Sequence, residues 1–215
     1  MAHAKPLLTV GLVALAAAGA AQANQIRLTR ADQAIARAAV VHKADLGGSG
    51  WRGGVKKPDL TSGSGCVGYQ PKESDLVTTG AAETEFTSGA LTFDTEVVLL
   101  KTATMVGADW RRSVRPAALV CLKELLTREL GSTAKIVSAA RTSFAPIARY
   151  TANLRVVFDV KAGGRHVRIL VDVLLVGKGR AELTLTTIAP YAARVSVHAA
   201  ELRLARLVAG RLPRS

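Results

Sequence analysis

The sequence predicts an α+β domain, a curved antiparallel sheet with helices packed on one face, in the order α-ββ-α-ββββ-α. Three observations carry that prediction. Alternating apolar strands lie next to each other with only short turns between them. Helical apolar spacing occurs before, between and after the strand runs, without βαβ alternation. The composition, 49% apolar and 21% charged over 215 residues, suits one folded domain.

Residues 1–23 carry Lys5, an apolar run of 14 residues from Leu7 to Ala20, and the small-residue ending Ala21-Gln22-Ala23. They read as a secretory signal cleaved before Asn24, since a bilayer-spanning helix takes roughly 20 residues. The expected location is secreted, or periplasmic and cell-wall associated, with residues 24–215 as one domain and no transmembrane segment after cleavage. In an oxidising compartment Cys66 and Cys121 are expected to form a disulfide.

Thr29 and Asp32 have capping-box spacing before Ile35, Ala38, Ala39 and His42, which predicts a helix over 30–44. Residues 47–65, with seven glycines, read as a surface loop. Glu83 to Lys101 turns strand-like around Ser88-Gly89, and residues 109–130 read as a helix that Pro116 divides. In the next segment Leu154, Val156, Phe158 and Val160 alternate up to Gly163-Gly164, and Val167, Ile169, Val171, Val173 and Leu175 alternate away from it. A two-residue turn there makes facing numbers sum to 327. Val156 then faces Val171, while Asp159 meets Arg168 and Arg155 meets Asp172 as exposed pairs on the other side. Strands are expected at 134–142, 154–161, 165–176 and 180–188, the last two turning at Gly177-Lys178-Gly179 with Val173 opposite Leu183 and Val171 opposite Leu185. Pro190 and Tyr191 open a final helix with Val197, Ala200, Leu204, Leu207, Val208 and Leu212 on its apolar side.

Chemistry-bearing motifs are few. Gly63-Ser64-Gly65-Cys66-Val67-Gly68 matches G-x-G-x-x-G, but no strand precedes it and Pro71 follows, so the reading is a loop. His42, His166 and His198 share no metal-ligand spacing, and His198 with Glu201 reads as a solvated helix contact. Glu83 with Glu85 and Asp94 with Glu96 read as a solvated outer strand face. No catalytic, metal or cofactor residue is assigned. Basic residues cluster at Arg111, Arg112 and Arg115 and at Arg194, Arg203, Arg206, Arg211 and Arg214. Of these, Arg203, Arg206, Arg111, Arg112 and Arg115 form the candidate surface for an anionic envelope polymer, membrane headgroups or an acidic protein. Nucleic acid is not an expected partner, because aromatics interleaved with the basic residues are missing.

The signal, the Gly-rich segment ending in Cys66, Lys101-Thr102-Ala103 followed by Ala108-Asp109-Trp110, and Cys121-Leu122 together resemble uncharacterised exported actinobacterial proteins. The layout is more distantly similar to PsbP-like folds and to extracellular sensor domains of actinobacterial serine/threonine kinases. Those sensors carry more than one disulfide and this chain can form one, so no functional residue is transferred. The resemblance implies a non-enzymatic, disulfide-bonded ligand or partner module of the envelope. A carrier for an apolar molecule held between helices and sheet is the alternative, prompted by the Val, Leu and Ile around 154–185. A hydrolase of unrecognised type is the third reading.

Overall fold

The computed structural model describes residues 25–60, 66, 68–162 and 164–213. The signal segment, Arg214, Gly163 and most of the Gly63–Gly68 motif lie outside them.

Thr29 caps α1 (Arg30–Ala39), its side chain accepting from the Asp32 amide at 3.1 Å. The helix ends earlier than its spacing predicts, because Val40 and Val41 leave it to enter the core and the Val41 carbonyl accepts from the Thr84 hydroxyl at 2.9 Å. A short α2 (Lys43–Leu46) follows, with the Asp45 carboxylate accepting from the His42 amide. The remaining elements are β1 (Gln25–Ile26), β2 (Arg52–Lys56), β3 (Val77–Ser88), β4 (Leu91–Leu100), α3 (Ala103–Ser113), α4 (Pro116–Leu130), β5 (Ala134–Thr142), β6 (Tyr150–Ala162), β7 (Arg165–Lys178), β8 (Ala181–Pro190) and α5 (Arg194–Arg211). Thr102 caps α3 ahead of the expected start, and Pro116 opens α4 as its spacing implied.

One sheet takes the order β1-β3-β4-β8-β7-β6-β5, antiparallel apart from the two-residue β1 pairing, with β2 also on β3. The expected Gly-rich loop therefore contains a strand. The β6–β7 register is the predicted one, Ala162 facing Arg165 and Val156 facing Val171. The β7–β8 register is not. Val173 faces Thr186, and it is Val176 that faces Leu183, because the turn uses Gly179-Arg180 with Gly179 at φ 56°.

That difference of an odd number moves Val173 and Leu183 to opposite faces, and both faces are covered. Leu174, Val176, Leu183 and Leu185 pack with α1 and α5 through Ala36, Leu204 and Val208. Val171, Val173 and Leu175 pack with α4 through Leu122 and Leu126. The expectation of helices on one face is corrected accordingly: the run Ile169–Val176 is apolar at both parities, as a strand buried on two sides requires. At Gly80 a Cβ would lie 2.5 Å from the Asp32 carbonyl oxygen, so α1 sits directly on the β3 backbone. Arg180 in the β7–β8 turn clamps Asp32 of that helix with two hydrogen bonds.

Candidate functional site

The α3/α4 side of the sheet has an apolar half under α4 and a polar half on β3, β4 and β8. Strand register decides the polar half. Glu83 faces Glu96, Glu85 faces Asp94, Asp94 faces Thr186 and Glu96 faces Thr184, all on one side. These carboxylates were expected in solvent, yet Asp94 is 9% and Glu96 7% exposed. The unexpected β2 is the reason, since it delivers Lys56 opposite Glu83. The Lys56 Nζ lies 2.7 Å from Glu83, 3.1 Å from Asp94 and 3.4 Å from Glu85. Burial works against its charge, but Glu83 and Asp94 hold its pKa above the usual range. Burial, offset in part by Lys56 and reinforced by Glu83, pushes Asp94 up to about 7. Burial, with Glu83 and Asp94 adding repulsion, pushes Glu96 up to about 8.

The strip continues into a cleft between α3 and the β7–β8 hairpin. Asp109, Trp110 and Ser113 line it from the helix, with Gly177, Glu182 and Thr184 among the strand residues. Its volume of about 20 Å³ is room for a water-sized group. Gly177 is dictated by packing: a Cβ would meet Val106 at 2.9 Å and Tyr150 at 3.0 Å. Tyr150 in turn stacks on Trp110, ring centres 5.4 Å apart.

Asp109 is 4% exposed and accepts from the Ser113 hydroxyl at 3.0 Å. Burial pushes its carboxyl up to about 6. Glu182 is raised well above its ordinary value, by burial first and then by Asp109 and Glu96. Its Oε2 is buried without a hydrogen-bond partner, and neither carboxylate has an ion pair, among the described residues.

Flanking the cleft is the segment that the disulfide holds. Cys66 and Cys121 are brought to bonding distance as expected, Cα atoms 5.6 Å apart, which ties the chain before Tyr69 to buried α4. From this segment burial and Asp109 push Tyr69 up to about 12 and Glu73 up to about 7. Asp75 binds Arg112 of α3 at 2.6 Å.

A second buried polar cluster lies on the α1/α5 side. Arg155 and Asp172 pair as the register predicted, at 2.7 and 2.5 Å, but the pair is not exposed: Asp172 is 0% exposed beneath α5. Glu201 of α5 is also 0% exposed, and neither of its oxygens meets a donor among the described residues. Burial and Asp172 push it up to about 8. His198 lies 3.9 Å from it, so the expected solvated contact has one buried partner. Asp159 faces Arg168 in register but its side chain binds His166 at 2.7 Å. The His42 Nε2 lies 3.3 Å from the Ala38 carbonyl. No group of three or more His, Cys, Asp or Glu among the described residues is arranged to hold a metal ion.

The candidate basic surface is not brought together. Arg111, Arg112 and Arg115 belong to the α3/α4 side, while Arg203 and Arg206 project from α5 across the sheet. Arg112 is bound by Asp75, Arg203 donates to the Asp45 carbonyl at 2.6 Å, and Arg211 pairs with the Asp45 carboxylate at 2.6 Å. Arg115 donates to the Arg111 carbonyl, and Arg194 covers the Tyr191 ring at 4.9 Å. No described helix is long and apolar enough to cross a membrane.

Sequence reasoning gave no functional role to Asp109 or Glu182 and placed Glu201 in a solvated contact with His198. A signal existed for the last, because Glu201 falls at helical spacing between Val197 and Leu204, inside the stripe that α5 buries. Comparison with known proteins matches the chain to no family model and to no curated protein.

Proposed function

We propose that the protein is an exported, non-enzymatic binding or sensor-type module of the cell envelope, and that the cleft between α3 and the β7–β8 hairpin receives a small cationic group. The observation that carries this reading is the pair Asp109 and Glu182, two carboxyls facing one cavity without an ion pair among the described residues, Arg112 acting on Asp109 only from beyond ion-pair distance. Burial makes ionising these carboxyls costly unless a cation pairs with them, and a water-sized ammonium head fits the cavity and stabilises their ionised forms. Lys56 illustrates the chemistry on the same sheet face, its ammonium held by three carboxylates. The described histidines lie elsewhere, at the N-cap of α2, on the β6–β7 hairpin and on α5. The apolar strands that prompted the carrier reading are packed against α5 on one side and α4 on the other.

Calorimetry and thermal melts with methylammonium and putrescine at about pH 8, where Asp109 is ionised, test the reading. Saturable stabilisation that disappears in Asp109→Asn and Glu182→Gln is expected. Equal response to tetramethylammonium, whose bulk cannot enter, or no response at all, would reject it.

A further inference from the structure

The β6–β7 hairpin reaches past the rest of the sheet. β5 pairs with β6 only as far as Val160, and β8 pairs with β7 only from Ile169. Lys161 and residues 165–168 are therefore part of a two-stranded ribbon without further neighbours, and Lys161, Arg165, His166, Val167 and Arg168 are all exposed. Such an extension buries nothing and contributes little to the core, so its composition reports on something other than packing.

That composition is basic. Lys161, Arg165 and Arg168 lie on the ribbon, and Lys135 of β5 faces Asp159 at its base. Strand alternation puts Lys135, Lys161, His166 and Arg168 on one side, and Arg165 with Val160 and Val167 on the other. Asp159, the one acidic residue of the ribbon, is engaged by His166 at 2.7 Å. Lys135, Lys161, Arg165 and Arg168 make no ion pair among the described residues. They differ in this from Arg112, Arg155, Arg180 and Arg211, each of which is bound to a carboxylate of the fold.

We infer that this overhanging ribbon is a docking surface for an extended, phosphate-bearing polyanion. Cross-strand neighbours stand about 5 Å apart and same-face neighbours along a strand about 7 Å apart, a grid of positive charge that a flexible chain of phosphates can follow. A ribbon two strands wide presents that grid to a chain lying along it, whereas a flat bilayer would touch only its end, and the described residues there, Lys161, Gly164 and Arg165, include no aromatic anchor. Binding of this kind is electrostatic and releases counterions, so it weakens steeply with salt. The surface is separate from the α3 cleft and does not depend on it.

The test uses the folded protein with long-chain polyphosphate as the probe, titrated across a salt series and compared with inorganic phosphate and with anionic vesicles. Saturable polyphosphate binding at low salt is expected, with amide shifts confined to Lys135 and to residues 159–169. The triple variant Lys161→Gln, Arg165→Gln, Arg168→Gln should weaken it about tenfold, while Arg37→Gln, Arg203→Gln, Arg206→Gln, an equal loss of charge on the α1/α5 side, should change it less than about twofold. The ribbon lies outside both cores, so unchanged melting would confirm that the first variant is folded. Equal loss in the two variants, shifts spread over the whole surface, binding to vesicles but not to polyphosphate, or no binding at low salt would each overturn the inference.

Discussion

At the residue scale the decisive groups are charges placed where charge is costly. Asp172 is wholly buried and its two oxygens are taken by one arginine, so Arg155→Ala leaves a carboxylate with nothing opposite. The expected loss is about 3–5 kcal/mol in chemical denaturation, against under about 1 kcal/mol had the pair been exposed. Glu201 makes a subtler prediction. Burial and the neighbouring Asp172 push its carboxyl up to about 8, well above the usual glutamate value. The folded state therefore holds a proton that the unfolded chain releases, and that contribution fades as pH rises from about 4.5 to about 8. Glu201→Gln, which keeps the shape and cannot ionise, should match the parent near pH 5 and melt higher than it near pH 9. Equal melting temperatures across that range would show that Glu201 is not the group responsible.

Elements add constraints that single residues do not reveal. The disulfide joins positions 55 apart in sequence, and the chain-entropy account gives such a loop up to about 4 kcal/mol. Cys66→Ser, Cys121→Ser and reduction of the parent should each lower stability by about 2–4 kcal/mol, measured by denaturant titration, because all three free the same segment from α4. Registers make a second test. In amide and Hα contacts by NMR, Val156 should face Val171 and Val176 should face Leu183. Only the first pairing was deduced from the sequence, where Gly163-Gly164 stood as a single two-residue turn and the register it sets also matches Asp159 with Arg168 and Arg155 with Asp172. At the next turn Gly177 and Gly179 offered two places to reverse the chain, and β7 is apolar at both parities, so hydrophobic matching could not choose between them.

For the whole molecule the carboxyls raised by burial outnumber those lowered by an arginine: Arg180, Arg211 and Arg112 hold Asp32, Asp45 and Asp75 below the usual range, and those three act only below about pH 4. Asp109 is pushed to about 6, Asp94 and Glu73 to about 7, and Glu96 to about 8, burial being the first cause in each. Each is raised above its unfolded value, so the fold binds more protons than the unfolded chain between about pH 4 and pH 8, and stability falls as pH rises through that window. Melting at about pH 5.5 should exceed melting at about pH 8.5, and the Glu96→Gln variant should flatten the slope. What the sequence determined by itself was local: the starts of α1 and α4 through Thr29 and Pro116, the β6–β7 register through its turn, and the pairing of two cysteines in an even count. Periodicity sees one chain segment and its two sides, and that is enough for each of these. It could not say that both sides of β7 are covered, that five glycines of a loop flank and enter the strand β2, or that Glu83, Glu96, Glu182 and Asp109 lie together. Those are relations between distant segments, fixed only when the sheet closes up in the order β3-β4-β8-β7 and brings α3 down on it. Carboxylates that alternation assigns to water were thereby buried against one another, because the elements that cover them come from elsewhere in the chain.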